Sequence, residues 1–323
     1  MEALKSKESL HSATARKKAV FVAVKAIMRW LFLIAISYIL LYPLLYMISA
    51  AVKDSTNFSD PTVVWIPKIY SFSSFRIAWK ALDYGKTFIN TLKLEIVSAF
   101  LEIFACSLGA YGLARFNFRL KKPLTAVLLI TILVPTQMII IPLMLNFRYL
   151  DFFGILAFIG KLTGTELRPN LLNTPLTFYL PSLFAVGLKA GFFTFIYMQF
   201  FKGLPKELEE AAWIDGAGPF TTFFRVIIPS SGVVILTVSI FSVIWHWNDY
   251  YLSVMYLSKN YPIAVMLNNI FHTLDVMGYS PHTASTTGIA MAGCLMTIAP
   301  MLIMYIILQR KFIQSIDRVG IVG

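Results

Sequence analysis

The sequence is poor in charged residues and in cysteine. Only 14% of its 323 residues are Asp, Glu, Lys or Arg, whereas soluble domains contain about 25%. Hydrophobic side chains make up 58% of the chain and the mean hydropathy is +0.71. No charged residue occurs from Trp30 to Val52, and a helix of that length crosses a hydrocarbon core about 30 Å thick. These features exclude an ordinary soluble domain and predict an all-α integral membrane protein.

Motifs for enzyme chemistry and metal binding are also missing from the sequence. The two cysteines, Cys106 and Cys294, lie in apolar stretches, so no disulfide framework or zinc spacing is present. There is no GxxxxGK(S/T) phosphate loop, and the chain is therefore expected not to hydrolyse ATP. No ligand spacing connects the four histidines, which are His11, His246, His272 and His282.

Six apolar segments are long enough to be membrane spans. Prolines occur inside several of them, which membrane helices tolerate because neighbouring helices can satisfy the freed backbone groups. We therefore expect six transmembrane helices, near residues 30–52, 88–114, 123–146, 176–201, 226–245 and 288–308.

The net charge of +12 raises the alternative of nucleic-acid binding. No basic stripe carries the interleaved aromatic residues of single-strand binders, so nucleic acid is not expected as a partner. The basic residues instead follow the topology, because cytoplasmic loops of membrane proteins are enriched in Lys and Arg. Both termini are thus predicted to be cytoplasmic. The predicted inside segments contain 17 Lys and Arg against 9 outside; these segments are 1–29, 115–122, 202–225 and 309–323.

The loop after the predicted fourth span has the pattern of a helix, a tight turn and a second helix. Residues 206–215 mix acidic and apolar residues, and Gly216 and Gly218 supply a turn that other residues adopt at a cost. Pro219 suits the first position of the next helix. Such a unit forms a compact knob outside the membrane. The alternative is an ordinary amphipathic hairpin with its phenylalanines among lipid headgroups.

The spacing of residues in this loop resembles the EAA motif of ABC importer permeases, EAA-x3-G-x9-I-x-L-P. Val226 and Ile228 depart from the motif, but both stay aliphatic. The matching residues here are Glu210, Ala211, Ala212, Gly216, Val226, Ile228 and Pro229.

Three further stretches are similar to the carbohydrate-uptake branch related to the smaller maltose-importer permease. They are AYGLARFNF at 110–118, WNDYY at 247–251 and the ending QRKFIQSIDRVGIVG at 309–323. The resemblance implies a type I importer transmembrane domain in a bacterial cytoplasmic membrane. We expect a tail at 1–29, a first span and outside loop at 30–84, a permease core at 85–308 with its coupling loop near 202–229, and a C-terminal tail at 309–323.

The resemblance also implies a mechanism and partners. The knob would dock in a cytoplasmic ATPase, with Glu210 making a polar contact, Ala211 and Ala212 keeping the docking face thin, and Gly216 permitting the bend. The implied partners are a second related permease, forming a heterodimer, a dimer of ATPase subunits that bind ATP and Mg, and an extracytoplasmic binding protein. The remaining implied contacts with the ATPase come from Asp215, Pro229, Gln309 and Arg310.

Polar residues near the predicted spans are candidates for a substrate path. Glu95 and Glu102 are seven residues apart and share one helix face. They would hydrogen-bond sugar hydroxyls, or else Glu95 lies near the outer interface and Glu102 pairs with another subunit. A second candidate group suits sugar rings but also fits an aromatic interface belt; its members are Trp247, Asn248, Asp249 and Tyr250.

The predicted function is import of a carbohydrate in the form of an oligosaccharide. An acidic oligosaccharide, such as an alginate fragment, is one option. Permeases for peptides or amino acids are the alternative within the ABC class. An ion-coupled secondary transporter is the rival outside it, and the EAA-like spacing argues against that rival.

Overall fold

The computed structural model describes residues 2–319 except 59, 61, 64, 152 and 282. One antiparallel bridge joins Lys53 to Tyr70, and the other regular elements of the described residues are helical. Three helices are long: α1 (Glu2–Ala51), α3 (Tyr84–Arg115) and α16 (Ala284–Val319).

The remaining helices are shorter and occur in the connections and in interrupted spans. They are α2 (Ser73–Ala81), α4 (Lys121–Leu133), α5 (Thr136–Arg148), α6 (Ile155–Thr163), α7 (Leu176–Leu183), α8 (Ala190–Gly203), α9 (Glu207–Ile214), α10 (Pro219–Thr222), α11 (Ile228–Ser230), α12 (Gly232–Trp247), α13 (Tyr251–Tyr256), α14 (Ile263–Asn268) and α15 (Ile270–Val276).

Three helical stretches within the described residues are individually long and apolar enough to cross a membrane. They are Val20–Ala51, Tyr84–Arg115 and Ala284–Arg310. Residues 2–29 of the predicted basic tail therefore belong to the same helix as the first span.

Two further spans are possible as bent pairs, which raises the total to five. Lys121–Leu133 and Thr136–Arg148 meet at 105°, and Pro219–Ser230 meets Gly232–Trp247 at 81°. The first bend falls at Pro135, which disfavours helical geometry in the preceding Val134.

The predicted fourth span is interrupted. A connection at residues 184–189 separates α7 from α8, and Ala185 and Lys189 within it have left-handed backbone conformations. Apolar composition did not reveal this break, because a broken segment is as apolar as a continuous helix. The expected count of six spans stays a prediction.

Helix α3 is the central helix of the bundle. It packs against α7, α8 and α12, and Phe193, Tyr197 and Phe201 of α8 contribute large buried side chains to that core. A second core joins α2 and α15 to α16.

Apolar side chains also cover the outside of the bundle. Nearly all side chains of α1 between residues 20 and 48 are exposed, and Leu133 and Met138, on α4 and α5, are 80% and 74% exposed. In water, patches of this size would cause aggregation. The surface is that of an integral membrane protein.

Candidate coupling site

Residues 204–230, here called the coupling hairpin, contain the EAA-like stretch. Acidic residues Glu207, Glu209 and Glu210 fill the first turn of α9, where they interact favourably with the helix dipole. The predicted helix at 206–215 is thus confirmed with slightly shorter bounds.

Gly216 ends α9 in the arrangement known as a Schellman motif. Its N–H donates to the carbonyl of Trp213 at 3.0 Å, and the Ala217 N–H donates to that of Ala212 at 2.9 Å. Gly216 has φ +79°, which is strained for residues with a Cβ. The position therefore favours glycine for its backbone geometry.

The second arm of the hairpin begins at Pro219, the first residue of α10, as predicted. A single π-helical turn, Phe223–Ile227, follows α10 and leads to Ile228–Ser230. Insertions of this kind are frequent at functional sites. The chain then bends at Ser231 and enters α12, so the hairpin is continuous with a predicted span.

A buried ion pair fastens the hairpin to α3. Arg115 Nε lies 3.4 Å from Glu209 Oε2, and both side chains are 5% exposed. The same guanidinium donates to the carbonyl of Leu204 at 2.7 Å. Sequence reasoning missed this pair: Arg115 was used for topology and as part of the AYGLARFNF stretch, and Glu209 was not distinguished from its acidic neighbours.

Aromatic packing fastens the second arm. Phe223 is fully buried and its ring centroid lies 5.2 Å from that of Tyr111 on α3. Ile227 is also fully buried. The inner face of the coupling hairpin is therefore held by α3 through both polar and apolar contacts.

The opposite face of the hairpin is exposed and mixes carboxylates with apolar side chains. Ile214 and Phe220 are 86% and 69% exposed, and Ala212 is half-buried. The other predicted coupling residues are all exposed, namely Glu210, Ala211, Asp215, Gly216 and Pro229.

Glu95 and Glu102, the predicted carboxylate pair, are both buried, at 2% and 0% exposure. Glu102 Oε2 accepts a hydrogen bond from Ser242 Oγ at 3.1 Å and lies 3.7 Å from His246 Nε2. Glu102 thus contacts α12 within this chain. Both carboxylate oxygens of Glu95 lack hydrogen-bond partners among the described residues.

Gly187, in the connection between α7 and α8, lies directly against Glu102. A Cβ placed on Gly187 would be 2.8 Å from Glu102 Oε1 and 2.9 Å from Ser182 Oγ. Glu102 therefore joins three parts of the bundle: α3, the interrupted fourth segment and α12. His246 and Gly187 were not predicted to belong to this cluster.

The second predicted group does not form one open site. Trp247 is buried and donates from Nε1 to the Thr297 carbonyl at 3.2 Å. Asp249 accepts from the amides of Leu252 and Ser253 at 3.2 and 3.0 Å, so it caps α13.

Asn248 and Tyr250, the other two members of that group, make local contacts. Asn248 is exposed and donates to the carbonyl of Ile244 at 2.8 Å. Tyr250 is half-buried, and its ring lies edge-on to Tyr251 at 5.5 Å.

A cavity of about 1500 Å³ lies beside the cluster around Glu102, between α4, α5, the α7–α8 connection and the end of α12. Its lining is mainly apolar, with Ser182, Lys189, His246 and Asp249 among the polar members. Lys189 Nζ lies 5.8 Å from the ring centroid of Trp245. Non-helical backbone at membrane depth is tolerated where it lines such a cavity.

The contacts described above include no metal site, and the predicted C-terminal contact with the ATPase stays a prediction. No group of three or more His, Cys, Asp or Glu within the described ranges is arranged to hold a metal ion. Gln309 is half-buried and Arg310 exposed near the end of α16. The final four residues of the predicted tail lie outside the described residues.

Known proteins define the class to which this architecture belongs. The fold matches a chain in the crystal structure of a bacterial ABC transporter involved in the import of the acidic polysaccharide alginate, with a TM-score of 0.70 and 21% identity over 90% of this chain and 96% of that one. The sequence is 28% identical to the melibiose/raffinose/stachyose import permease protein MelC of Bacillus subtilis (87% of this chain, 91% of MelC).

A second relative is the arabinooligosaccharides transport system permease protein AraQ of Halalkalibacterium halodurans, 27% identical (92% of this chain, 98% of AraQ). The class is thus the non-enzymatic membrane permease of an ABC importer, whose ATPase is a separate chain. Residues 103–318 match the family of binding-protein-dependent transport system inner membrane components. The chain belongs to this family.

Proposed function

We propose that this chain moves an oligosaccharide from an extracytoplasmic binding protein into the cytoplasm, using ATP hydrolysed by separate subunits. The names of MelC and AraQ both specify short sugars. These names support carbohydrate rather than peptide or amino acid as the cargo class.

The observation that carries the coupling mechanism is the two-sided coupling hairpin. Its inner face is fixed to α3 by Arg115, Glu209 and Phe223, while its outer face presents Glu210 and Ala211 to solvent. A load on the outer face is transmitted to α3 and, through Ser231, to α12. Work is transmitted only if the ATPase holds this face differently in its two nucleotide states.

The proposed assembly follows from that role. The chain has six spans and cytoplasmic termini, and it pairs with a second related permease. Two ATPase subunits bind ATP and Mg²⁺ and receive the outer face of the hairpin. Gln309 and Arg310 contact the same ATPase pair.

The proposed substrate path runs along the cavity beside Glu102. His246 and Asp249 line this cavity, and Glu102 lies behind Gly187 in its wall. Glu95 lies seven residues from Glu102 on α3 and has carboxylate oxygens without hydrogen-bond partners among the described residues. The neighbouring end of α12 supplies Trp247, Asn248 and Tyr250.

The test compares two exposed glutamates in the first turn of α9. Glu210→Ala removes the proposed ATPase contact, whereas Glu207→Ala removes an equal charge outside the motif. In proteoliposomes containing the complete importer, we expect at least a tenfold loss of ATP-driven sugar uptake for Glu210→Ala and less than twofold for Glu207→Ala. Equal uptake by both variants, with intact assembly, would contradict the docking assignment.

A further inference from the structure

Residues 150–171 form a second hairpin, here called the α6 hairpin, which leaves the bundle at the end of α5. Two backbone hydrogen bonds close its base: Leu150 donates to Pro169 at 3.2 Å, and Leu171 donates to Phe147 at 2.8 Å. The segment between them therefore leaves and returns at one place.

The inner side of the α6 hairpin is satisfied by its own residues. Asp151 accepts hydrogen bonds from the amides of Leu156 and Ala157 at 2.9 and 3.2 Å, which caps α6. A Cβ placed on Gly160 would lie 2.7 Å from the carbonyl oxygen of Thr165. Helix α6 thus lies closely on its own returning segment.

The outer side of α6 is an apolar stripe that no described part of the chain covers. All nine residues of α6 are exposed or half-buried. The stripe repeats at helical spacing, with residues three or four apart on one face. Its members, with their exposed fractions, are Ile155 (54%), Phe158 (64%), Ile159 (39%) and Leu162 (72%).

The attachment of the hairpin determines which partner this stripe can reach. Helix α5, one half of a bent pair of apolar helices, ends at Arg148, and the following chain can extend by at most about 3.6 Å per residue. The closed base shortens this reach further. The stripe is therefore kept close to the level at which α5 leaves the apolar region.

The residues at the base suit the boundary between lipid and water. Arg148 and Arg168 lie over the ring of Tyr149, at 5.5 and 5.2 Å from its centroid. Aromatic and basic residues of this kind are enriched at membrane interfaces.

Residues 148–171 carry three basic residues, Arg148, Lys161 and Arg168, against Asp151 and Glu166, which gives a formal net charge of +1. Asp151 caps α6, and Glu166 pairs with Arg168 at 2.7 Å. The hydrogen bonds from Arg168 lower the pKa of Glu166 to about 2. Lys161 lies on α6 and Arg148 at the base of the hairpin, and anionic headgroups attract basic residues close to the membrane surface.

We propose that α6 lies in the plane of the bilayer interface, with its apolar stripe in the acyl-chain boundary and with Lys161, together with Arg148 at the base of the hairpin, at anionic headgroups. The α6 hairpin would act as a lipid-bound anchor for the outer end of α5. This inference does not depend on which sugar is carried or on the coupling mechanism.

The test places an environment-sensitive fluorophore on either side of α6. Leu162→Cys and Lys161→Cys are made in a Cys106→Ala/Cys294→Ala background, because those are the two native cysteines. Each variant is labelled with nitrobenzoxadiazole and assembled as the complete importer in nanodiscs of phosphatidylcholine and phosphatidylglycerol. Lipids with brominated acyl chains then serve as quenchers.

We expect the probe at 162 to emit at shorter wavelength and to be quenched at least twofold more than the probe at 161. Equal and weak quenching at both positions would overturn the proposal. Shielding of 162 without lipid quenching would also overturn it, in favour of a contact with the second permease. Shielding that appears only when the binding protein is added would assign the stripe to that protein instead.

Discussion

The coupling hairpin and the α6 hairpin are built from similar local parts but are fastened differently. Each has a glycine in the left-handed region, Gly216 at φ +79° and Gly154 at φ +82°, and each exposes large apolar side chains. The coupling hairpin is tied to α3 by a buried ion pair, whereas the α6 hairpin is closed by backbone hydrogen bonds, one within it and one to Phe147 at the end of α5. A segment that transmits force needs anchors in the bundle, and a segment that rests on lipid does not.

The largest effect is expected from removing the anchor of the coupling hairpin. Arg115→Leu leaves the buried carboxylate of Glu209 without its counter-ion, which costs about 3–5 kcal/mol. We expect a clear fall in the thermal unfolding temperature of the purified complex and loss of uptake.

The double variant Arg115→Leu/Glu209→Leu is the matched control, because it removes both charges together. Its unfolding temperature should return towards that of the unmodified protein. If the single variant unfolds at the unmodified temperature, the ion pair is not an anchor.

A smaller effect is expected at the turn of the coupling hairpin. Gly216→Ala places a Cβ in the left-handed region, at a cost of about 1–2 kcal/mol. Gly218→Ala is the control two residues away, since Gly218 has φ −77° and a conformation open to alanine.

We expect Gly216→Ala to lower substrate-stimulated ATP hydrolysis severalfold while Gly218→Ala stays within twofold. Neither added Cβ meets a described atom within 4 Å, so the difference would report backbone strain rather than collision. Equal activity of both variants would show that the bend at Gly216 is not required for coupling.

The smallest effect on transport is expected from the α6 hairpin. Gly160→Ala pushes the returning segment away, because the new Cβ would lie 2.7 Å from the Thr165 carbonyl oxygen. Hydrogen exchange of amides 155–163, measured in nanodiscs, should accelerate, while uptake stays within twofold.

Lys161→Arg, which keeps the positive charge on the exposed surface of the same helix, should leave hydrogen exchange in this segment unchanged. A collapse of uptake in Gly160→Ala would erase the contrast between the two hairpins, because it would mean that the α6 hairpin also transmits force.

Local features of the coupling hairpin were predictable because they depend on neighbouring residues. Gly216 and Pro219 identify a turn and a helix start from residue type alone, and the structure confirms both. Glu95 and Glu102 were placed on one face by their spacing, and both are buried on α3. One interpretation of the sequence was that Glu102 pairs with another subunit. In the structure Glu102 contacts Ser242 and His246 of the same chain, and these contacts depend on the packing of α12 against α3.

The sequence by itself determined the membrane class, the helical fold and the position of the coupling hairpin, because composition, apolar run length and motif spacing are properties of the chain read in order. Tertiary structure decided which side of that hairpin is anchored. Arg115 and Glu209 are 94 positions apart. They pair because the first turn of α9 packs against the end of α3. It also decided that the fourth apolar segment breaks around Gly187, where the backbone lies against Glu102. Residue order contains the charges and the glycines, but only the folded bundle brings each of them to its partner.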